Sequence, residues 1–286
     1  MVVQRTMEPE NSGGGVVMKL DDYMKGMKVD VANCKVRDIC PLGKFCGSKV
    51  GDRDTILTPS VIQIKKNDIL WTDLHFDPRV LIIRKGVFSC MVHADRDKEE
   101  VPLALYGAGI AVGVGELYAP ADLPSRASGG QEIVPMSSTY YLRSLFNGEV
   151  CSLPAGVVRQ VLESMPPRVV NQILSCVLTN QFCSATAMMK VVSHQSLQDR
   201  LIALLLFFKE MASRSGNEID TFHVTHEELS HLVASDRVST TRSLHRIRDL
   251  GLIKIGYKAI KLLPTIMERT DLVSDAATEF YIPDAI

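Results

Sequence analysis

With 286 residues, 46% of them apolar and 23% charged, the chain has an ordinary globular composition and length for one to three domains. A formal net charge of −1 excludes a globally basic nucleic-acid binder, so any basic surface must be local. No apolar run reaches the roughly 18 residues of a membrane span, and the polar segment 1–15, with its NSGGG, lacks the apolar stretch of a signal peptide. These features predict a cytoplasmic protein with no membrane partner, in which seven cysteines, an odd number, do not form a disulfide scaffold.

Residues 1–33 read as a flexible N-terminal segment. From 34 to 154 the chain consists of short apolar runs broken by Gly, Pro and Asp, and 61–64, 80–84, 87–92, 101–106, 140–145 and 150–153 read as strands. Arg84-Lys85-Gly86 fits a tight hairpin turn between two of them, and 119–131, rich in Pro, Gly and Ser, fits a long loop. Many short strands so punctuated predict an antiparallel roll, jelly roll or barrel. His75 and His93 form no metal-binding pattern of the cupin kind. The glycines of 107–115 lack the Lys-Ser/Thr and helix of a phosphate loop, and no nucleophile triad is legible, so no enzyme and no catalytic residues are read.

After Pro154 the texture turns helical. Segment 155–165 reads as a short helix, and Pro166-Pro167 open a longer one to 192, since proline is tolerated in a first turn. Val169, Ile173, Cys176 or Val177, Asn180, Cys183 or Ser184, and Ala187 recur there at helical spacing with few charges. That favours packing against a partner helix, with burial inside one chain as the alternative. A third helix covers 197–212.

Segment 224–263 carries the strongest local signals. Thr225 with Glu228 forms a capping box, with Leu229, Leu232 and Val233 on the apolar side of the short helix that follows. Asp236 is a suitable N-cap for a second helix, with Leu244, Ile247 and Leu250 on one face and Arg237, Thr241, His245 and Arg248 opposite. Gly251 ends it, and LIKIGYKAIKLL reads as a hairpin around Gly256-Tyr257-Lys258. Helix, turn, helix and hairpin in this order make a winged helix-turn-helix. Between Arg237 and Lys261 seven Lys/Arg face a single acid, Asp249. A basic patch on that second helix suits duplex phosphates and the major groove.

In THEELSHLVASDRVSTTRSLHRIRDLGLIKI, SLQDRLIALLLFF, GEL at 115–117, GEVCSLP at 148–154 and VLESMPPRVVNQIL, the sequence resembles the CRP/FNR family of bacterial regulators over about 39–263. The resemblance implies an α+β chain: a β-roll of the cyclic-nucleotide-binding kind over 34–165, a dimerisation helix over 166–192, a winged helix-turn-helix over 193–263 and a C-terminal extension, 264–286. It further implies a homodimer that binds a palindromic double-stranded DNA site, with RNA polymerase as a partner. Base-reading positions fall at Arg237, Val238 and Arg242, with Ser239, Thr241 and His245 beside them. Both arginines can pair with guanine. Val238 stands where many members carry glutamate, and Asp236 replaces a common Ser/Thr, so the half-site is expected to differ from the commonest one.

In the oxygen-sensing branch of that family an N-terminal cysteine group and one β-roll cysteine hold a [4Fe–4S] cluster. By that resemblance Cys34, Cys40, Cys46 and Cys151 are candidate ligands. Five residues rather than two separate Cys34 from Cys40, and another metal, a redox dithiol or plain packing remain alternatives. Cys90, Cys176 and Cys183 read as buried small apolar groups. Cyclic AMP is not expected. The Arg-Ser pair of members that bind it has no well-placed counterpart: 137–139 is Ser-Ser-Thr, and Arg126-Ala127-Ser128 falls in an apparent insertion. The rival to a cluster is a small organic effector in the β-roll, with Glu116, Tyr140 and Tyr141 as candidate contacts, as in members that sense halogenated aromatics.

Overall fold

The computed structural model describes residues 27–28, 34–47, 56–70, 78–94, 99–117, 140–216 and 219–269. The readings of 1–26 as a flexible segment, 119–131 as a loop, and 126–128 and 137–139 at the cyclic-nucleotide position lie outside them, as does most of the tail.

Two antiparallel sheets form the N-terminal part. The first has the order β1 (Met27–Lys28), β2 (Ser60–Ile64), β9 (Gly148–Pro154), β4 (Arg79–Lys85), β7 (Ala111–Val112). The second runs β3 (Ile69–Leu70), β8 (Tyr140–Ser144), β5 (Phe88–Ala94), β6 (Glu99–Tyr106). Strand β4 explains the texture of the sequence: Leu81 and Ile83 face the interior of the roll, whereas Val80 and Ile82 face a second core on the other side. Both faces are buried, so the strand reads as a continuous apolar run rather than an alternation. The expected hairpin at Arg84-Lys85-Gly86 is not formed. Strand β4 already has β9 and β7 on its two sides, so the chain crosses at Gly86 into the other sheet, where β5 pairs with β6 and β8. Gly86 has φ +96°, and a Cβ there would stand 3.0 Å from the Gly148 Cα. The two-residue strands β1, β3 and β7 escaped the sequence reading because a period of two cannot declare itself in two residues.

Helix α1 (Ala155–Glu163) turns Val158, Val161 and Leu162 into the second core. Helix α2 (Pro167–Ser193) has 27 residues, with Pro167 in its first turn, and is about 40 Å long. Its buried face sends Ile173 and Val177 into the second core and Ala187 and Val191 into the main core, and the helix packs on β6, where the Ser184 hydroxyl donates to the Leu105 carbonyl. Helix α3 (Leu197–Ser213), capped by Ser196, is buried from Leu201 to Phe208 and is the hub of the C-terminal unit. Around it lie α4 (His226–Leu232), α5 (Arg237–Asp249) and a three-stranded sheet in the order β10 (Thr221–Phe222), β12 (Ala259–Leu262), β11 (Ile253–Gly256). One apolar core runs without a break from the inside of the β-roll through α3 into this unit. It also takes in Ile266, fully buried in a short 3-10 turn (Pro264–Glu268), so the segment read as an extension begins as part of the core.

Candidate nucleic-acid interface and cysteine pocket

The helix-turn-helix is built by the caps that the sequence announces. Thr225 Oγ1 accepts from Glu228 N (3.1 Å) while the Glu228 carboxylate accepts from Thr225 N (2.6 Å), so the first helix starts with its end groups satisfied. Asp236 accepts from Ser239 N (2.8 Å) at the head of α5, and Gly251 closes it with φ +71°. Thr240, Ser243, Leu244 and Ile247 are buried. Leu250 departs from its expected place on the apolar face. It is 60% exposed beyond the helix end, and Leu252 is buried instead.

Arg237, Val238, Arg242 and His245 stand exposed on α5, and Ser239 and Thr241 are half-buried beside them. Arg248, expected on the same side, is tied to Asp249 at 2.8 Å. Thr241 is also committed: its hydroxyl donates to the Arg237 carbonyl (2.9 Å) and lies 3.0 Å from His226 Nδ1. A hydroxyl has one proton, so Nδ1 of His226 is the donor in that contact. His226, which the sequence reading missed, therefore joins the first helix to the second, with its ring pKa lowered by burial and then by His245 and Arg237. Its position just after the N-cap was the available signal. The wing follows, with Tyr257 89% exposed at its tip and Lys258 Nζ 5.6 Å from that ring.

The four candidate cysteines come together. Segment 34–47 folds back on itself through Arg37 N donating to the Cys34 carbonyl (3.1 Å) and Gly43 N to the Cys40 carbonyl (3.0 Å). The turn is tight enough that a Cβ on Gly43 would overlap the Arg37 carbonyl. Leu42 anchors it in the second core, Val36 is buried against the pocket, and Cys46 bridges to Leu57. Cys151 sits on β9 between Val61 and Ile82 of the neighbouring strands, on the face that this segment covers. Cys34, Cys40, Cys46 and Cys151, with Ile82 and Leu153, line one small apolar pocket that is partly open to solvent. Burial raises Cys40 well above the usual thiol range, and Cys46, Cys151 and Cys34 raise it further. Burial and Cys34 push Cys46 up to about 11. Burial pushes Cys151 to about 12 despite the opposing pull of Arg84. Among the described residues no three His, Cys, Asp or Glu side chains converge to hold a single metal ion. Cys90 and Cys176 are buried and Cys183 is half-buried.

The candidate effector residues are less well gathered. Tyr141 is 2% exposed, and its hydroxyl accepts from Arg143 (3.2 Å), which pairs with Glu100 at 2.6 Å. Tyr140 is half-buried against the main core. Glu116 belongs to the 3-10 turn Val114–Leu117, which packs on α1 and β4, whereas both tyrosines lie in the second sheet. No described helix is long and apolar enough to cross a membrane.

Residues 199–264 match the family described as the Crp-like helix-turn-helix domain. A putative HTH-type transcriptional regulator, ycf28 of Porphyra purpurea, is 28% identical over 127 residues, which are 42% of this chain and 51% of the relative; the chain thus spans about half the length of that curated protein. Among solved structures, a CRP-family transcriptional regulator of Thermus thermophilus superposes with a TM-score of 0.55 at 17% identity, over 77% of this chain and 99% of the other. A CRP/FNR-family regulator from the same organism gives 0.52 at 19% identity over 76% and 100% of the two chains. FixK2 of Bradyrhizobium japonicum gives 0.51 at 14% over 80% and 98%. The chain therefore carries a Crp-like helix-turn-helix domain behind a β-roll and long helix, on the fold of CRP/FNR regulators.

Proposed function

We propose that this protein is a homodimeric, sequence-specific DNA-binding transcription regulator whose activity is switched by a group held at Cys34, Cys40, Cys46 and Cys151. The observation that carries the DNA-binding half is the open face of α5. Arg237, Arg242 and His245 are exposed at the helix that this motif lays in the major groove, in a chain with no net basic charge. Bidentate arginine–guanine contacts supply discrimination there, and Lys254, Lys258 and Lys261 on the wing supply phosphate contacts. RNA polymerase is the partner such a regulator implies.

Pairing is supported by the other side of α2. Leu178 (62% exposed), Phe182 (73%), Met189 (67%) and Val192 (37%) form an apolar stripe with spacings of four, seven and three. That is the seam of two helices packed side by side, here with a second copy of the chain.

The cysteine half is supported by the pocket. Four thiols from two distant parts of the chain line a single apolar pocket. A cuboidal [4Fe–4S] cluster fits that donor set, and Cys34, Cys40, Cys46 and Cys151 would hold it as thiolates. When bound, such a cluster supplies sensitivity to oxygen and redox state. The chain's own contribution is to exclude water with Ile82, Leu153 and Leu42 and to give up the four thiol protons on loading.

The DNA-binding reading is tested by Arg242→Ala, with a duplex selected from a random pool by the wild-type protein. Specific binding is expected to weaken by about 10- to 100-fold, matching about 1–3 kcal/mol for a bidentate base contact, while the dimer persists. Unchanged affinity and specificity would remove α5 from the groove.

A further inference from the structure

Two turns of the β-roll are bound to each other. Lys66 N donates to Asn147 Oδ1 (2.9 Å), Asn67 N to the Ser144 carbonyl (2.8 Å), and Ser144 N to the Asp68 carbonyl (3.0 Å). The same two turns grip the winged-helix unit. Lys66 Nζ donates to the His223 carbonyl (2.8 Å) and reaches both oxygens of Glu228 (2.7 and 2.8 Å), the carboxylate that closes the capping box of α4. Phe146, on the second turn, meets Phe208 of α3 edge-on at 5.6 Å and Phe222 of β10 at 5.5 Å, and those two rings lie 5.7 Å apart. A third turn comes equally close, since a Cβ on Gly107 would stand 2.8 Å from the Met211 carbonyl of α3. The DNA-facing arginines stay exposed throughout, so the grip orients the unit without covering it.

Strand β9 begins at Gly148, the residue after Asn147, and places Cys151 four residues beyond Asn147, roughly 13 Å along an extended strand. It pairs with β2 and β4 on its two sides, which makes it a stiff connection between pocket and turn.

We propose that the paired turns 65–68 and 145–147 form an intrachain latch that sets the orientation of the winged-helix unit, and that β9 carries a change at the cysteine pocket to this latch within one subunit. The second half rests on the reading of the pocket as the sensing site. A shift of β9 along its own axis moves Phe146 and Asn147 directly. Because Lys66 and Glu228 are only partly buried, the ion pair gives direction, and the aromatic trio gives most of the hold.

The test is hydrogen exchange by mass spectrometry on the full chain, comparing peptides from 221–233 with peptides from 201–208, which report global opening. Phe146→Ala is expected to speed exchange of 221–233 at least tenfold and Lys66→Met about threefold, each with 201–208 unchanged. Exchange of 221–233 at the wild-type rate in both variants would overturn the latch. Cys151→Leu overfills the pocket with no metal present, and Cys151→Ser serves if that variant does not fold. Either is expected to alter exchange of 221–233 at least threefold, and the effect should vanish when Lys66→Met and Phe146→Ala are added. An effect that persists in the latch-free chain, or none at all, would overturn the route along β9. Colour and iron content after reconstitution with iron and sulfide report separately on the cluster reading, so the two can fail independently.

Discussion

In the winged-helix unit the candidate site residues point outward into solvent, whereas in the cysteine pocket they point inward, and burial favours the neutral thiol at Cys40, Cys46 and Cys151. The first unit is assembled from neighbours: Thr225 caps with Glu228, Asp236 with Ser239, and Gly251 stops the helix that Asp236 starts. The second is assembled from strangers, since Cys46 and Cys151 belong to segments more than a hundred residues apart that meet only because β9 lies between β2 and β4. A surface that reads DNA needs exposed cations on a rigid local frame. A site that holds a group away from water needs enclosure, which only long-range packing provides. Their electrostatics follow: burial pushes the thiols of Cys40 and Cys151 up, whereas Arg237 and Arg242 of α5 stand exposed to solvent.

The largest expected effect lies on α2, the element between these two regions. Phe182→Glu puts a charge in the middle of the apolar stripe without touching the chain's own core. Association is expected to weaken at least 100-fold, about 2.8 kcal/mol, as for a central aromatic at an interface. Sedimentation velocity over a range of concentrations reads this, with circular dichroism confirming the fold. Wild-type association would show that α2 is not the pairing helix and would remove the reason for its exposed apolar face.

Legibility in the sequence tracks the same division. The caps, the glycine stop and the basic run of α5 are local, so their positions could be read to within a residue or two. The exceptions were Leu250, which the helix end releases to solvent, and the commitment of Thr241 to His226, a contact between two helices. In the β-roll the strands were legible as apolar runs but their partners were not. Arg84-Lys85-Gly86 looked like a hairpin because a turn between two apolar runs cannot reveal that the first run is already paired on both sides. The cysteine site was suggested by resemblance to a family, and the residues that enclose it, Ile82 and Leu153, carry no local mark. The latch was invisible: nothing near Lys66 announces a carboxylate 162 positions away.

An intermediate effect separates the regions by pH. In the metal-free chain Cys46 is pushed up to about 11 and Cys151 to about 12 from an ordinary 9.0, burial being the largest cause in both. The folded state thus favours the neutral thiol. That stability is fully present below pH 9.0, where unfolded thiols are also protonated. It is lost as pH rises towards 11 and 12, because unfolding releases protons there. The melting temperature is expected to fall between pH 9 and 10.5, and Cys151→Ala should make the decline shallower. Lysines and tyrosines titrate in both proteins, so the difference in slope is the readout. Identical slopes would mean that the thiol at 151 meets water in the folded chain.

The smallest effect concerns the carboxylate of Asp236 at the head of α5. The Ser239 N–H holds it below the usual carboxylate range, so it is charged at any pH used for binding. It helps start the helix, yet it sits beside Arg237, where a DNA phosphate would lie. Asp236→Asn keeps the accepting oxygen of the cap and removes the charge. Binding to duplexes of any sequence is expected to tighten about two- to fivefold at low salt, the gain shrinking as salt screens the repulsion, with the ratio of specific to nonspecific affinity unchanged. Fluorescence anisotropy with the selected duplex and a scrambled one, each at two salt concentrations, decides the matter. If Asn instead weakens the selected duplex alone, the carboxylate is accepting from a cytosine amino group, and Asp236 belongs with Arg237 and Arg242 among the residues that read sequence.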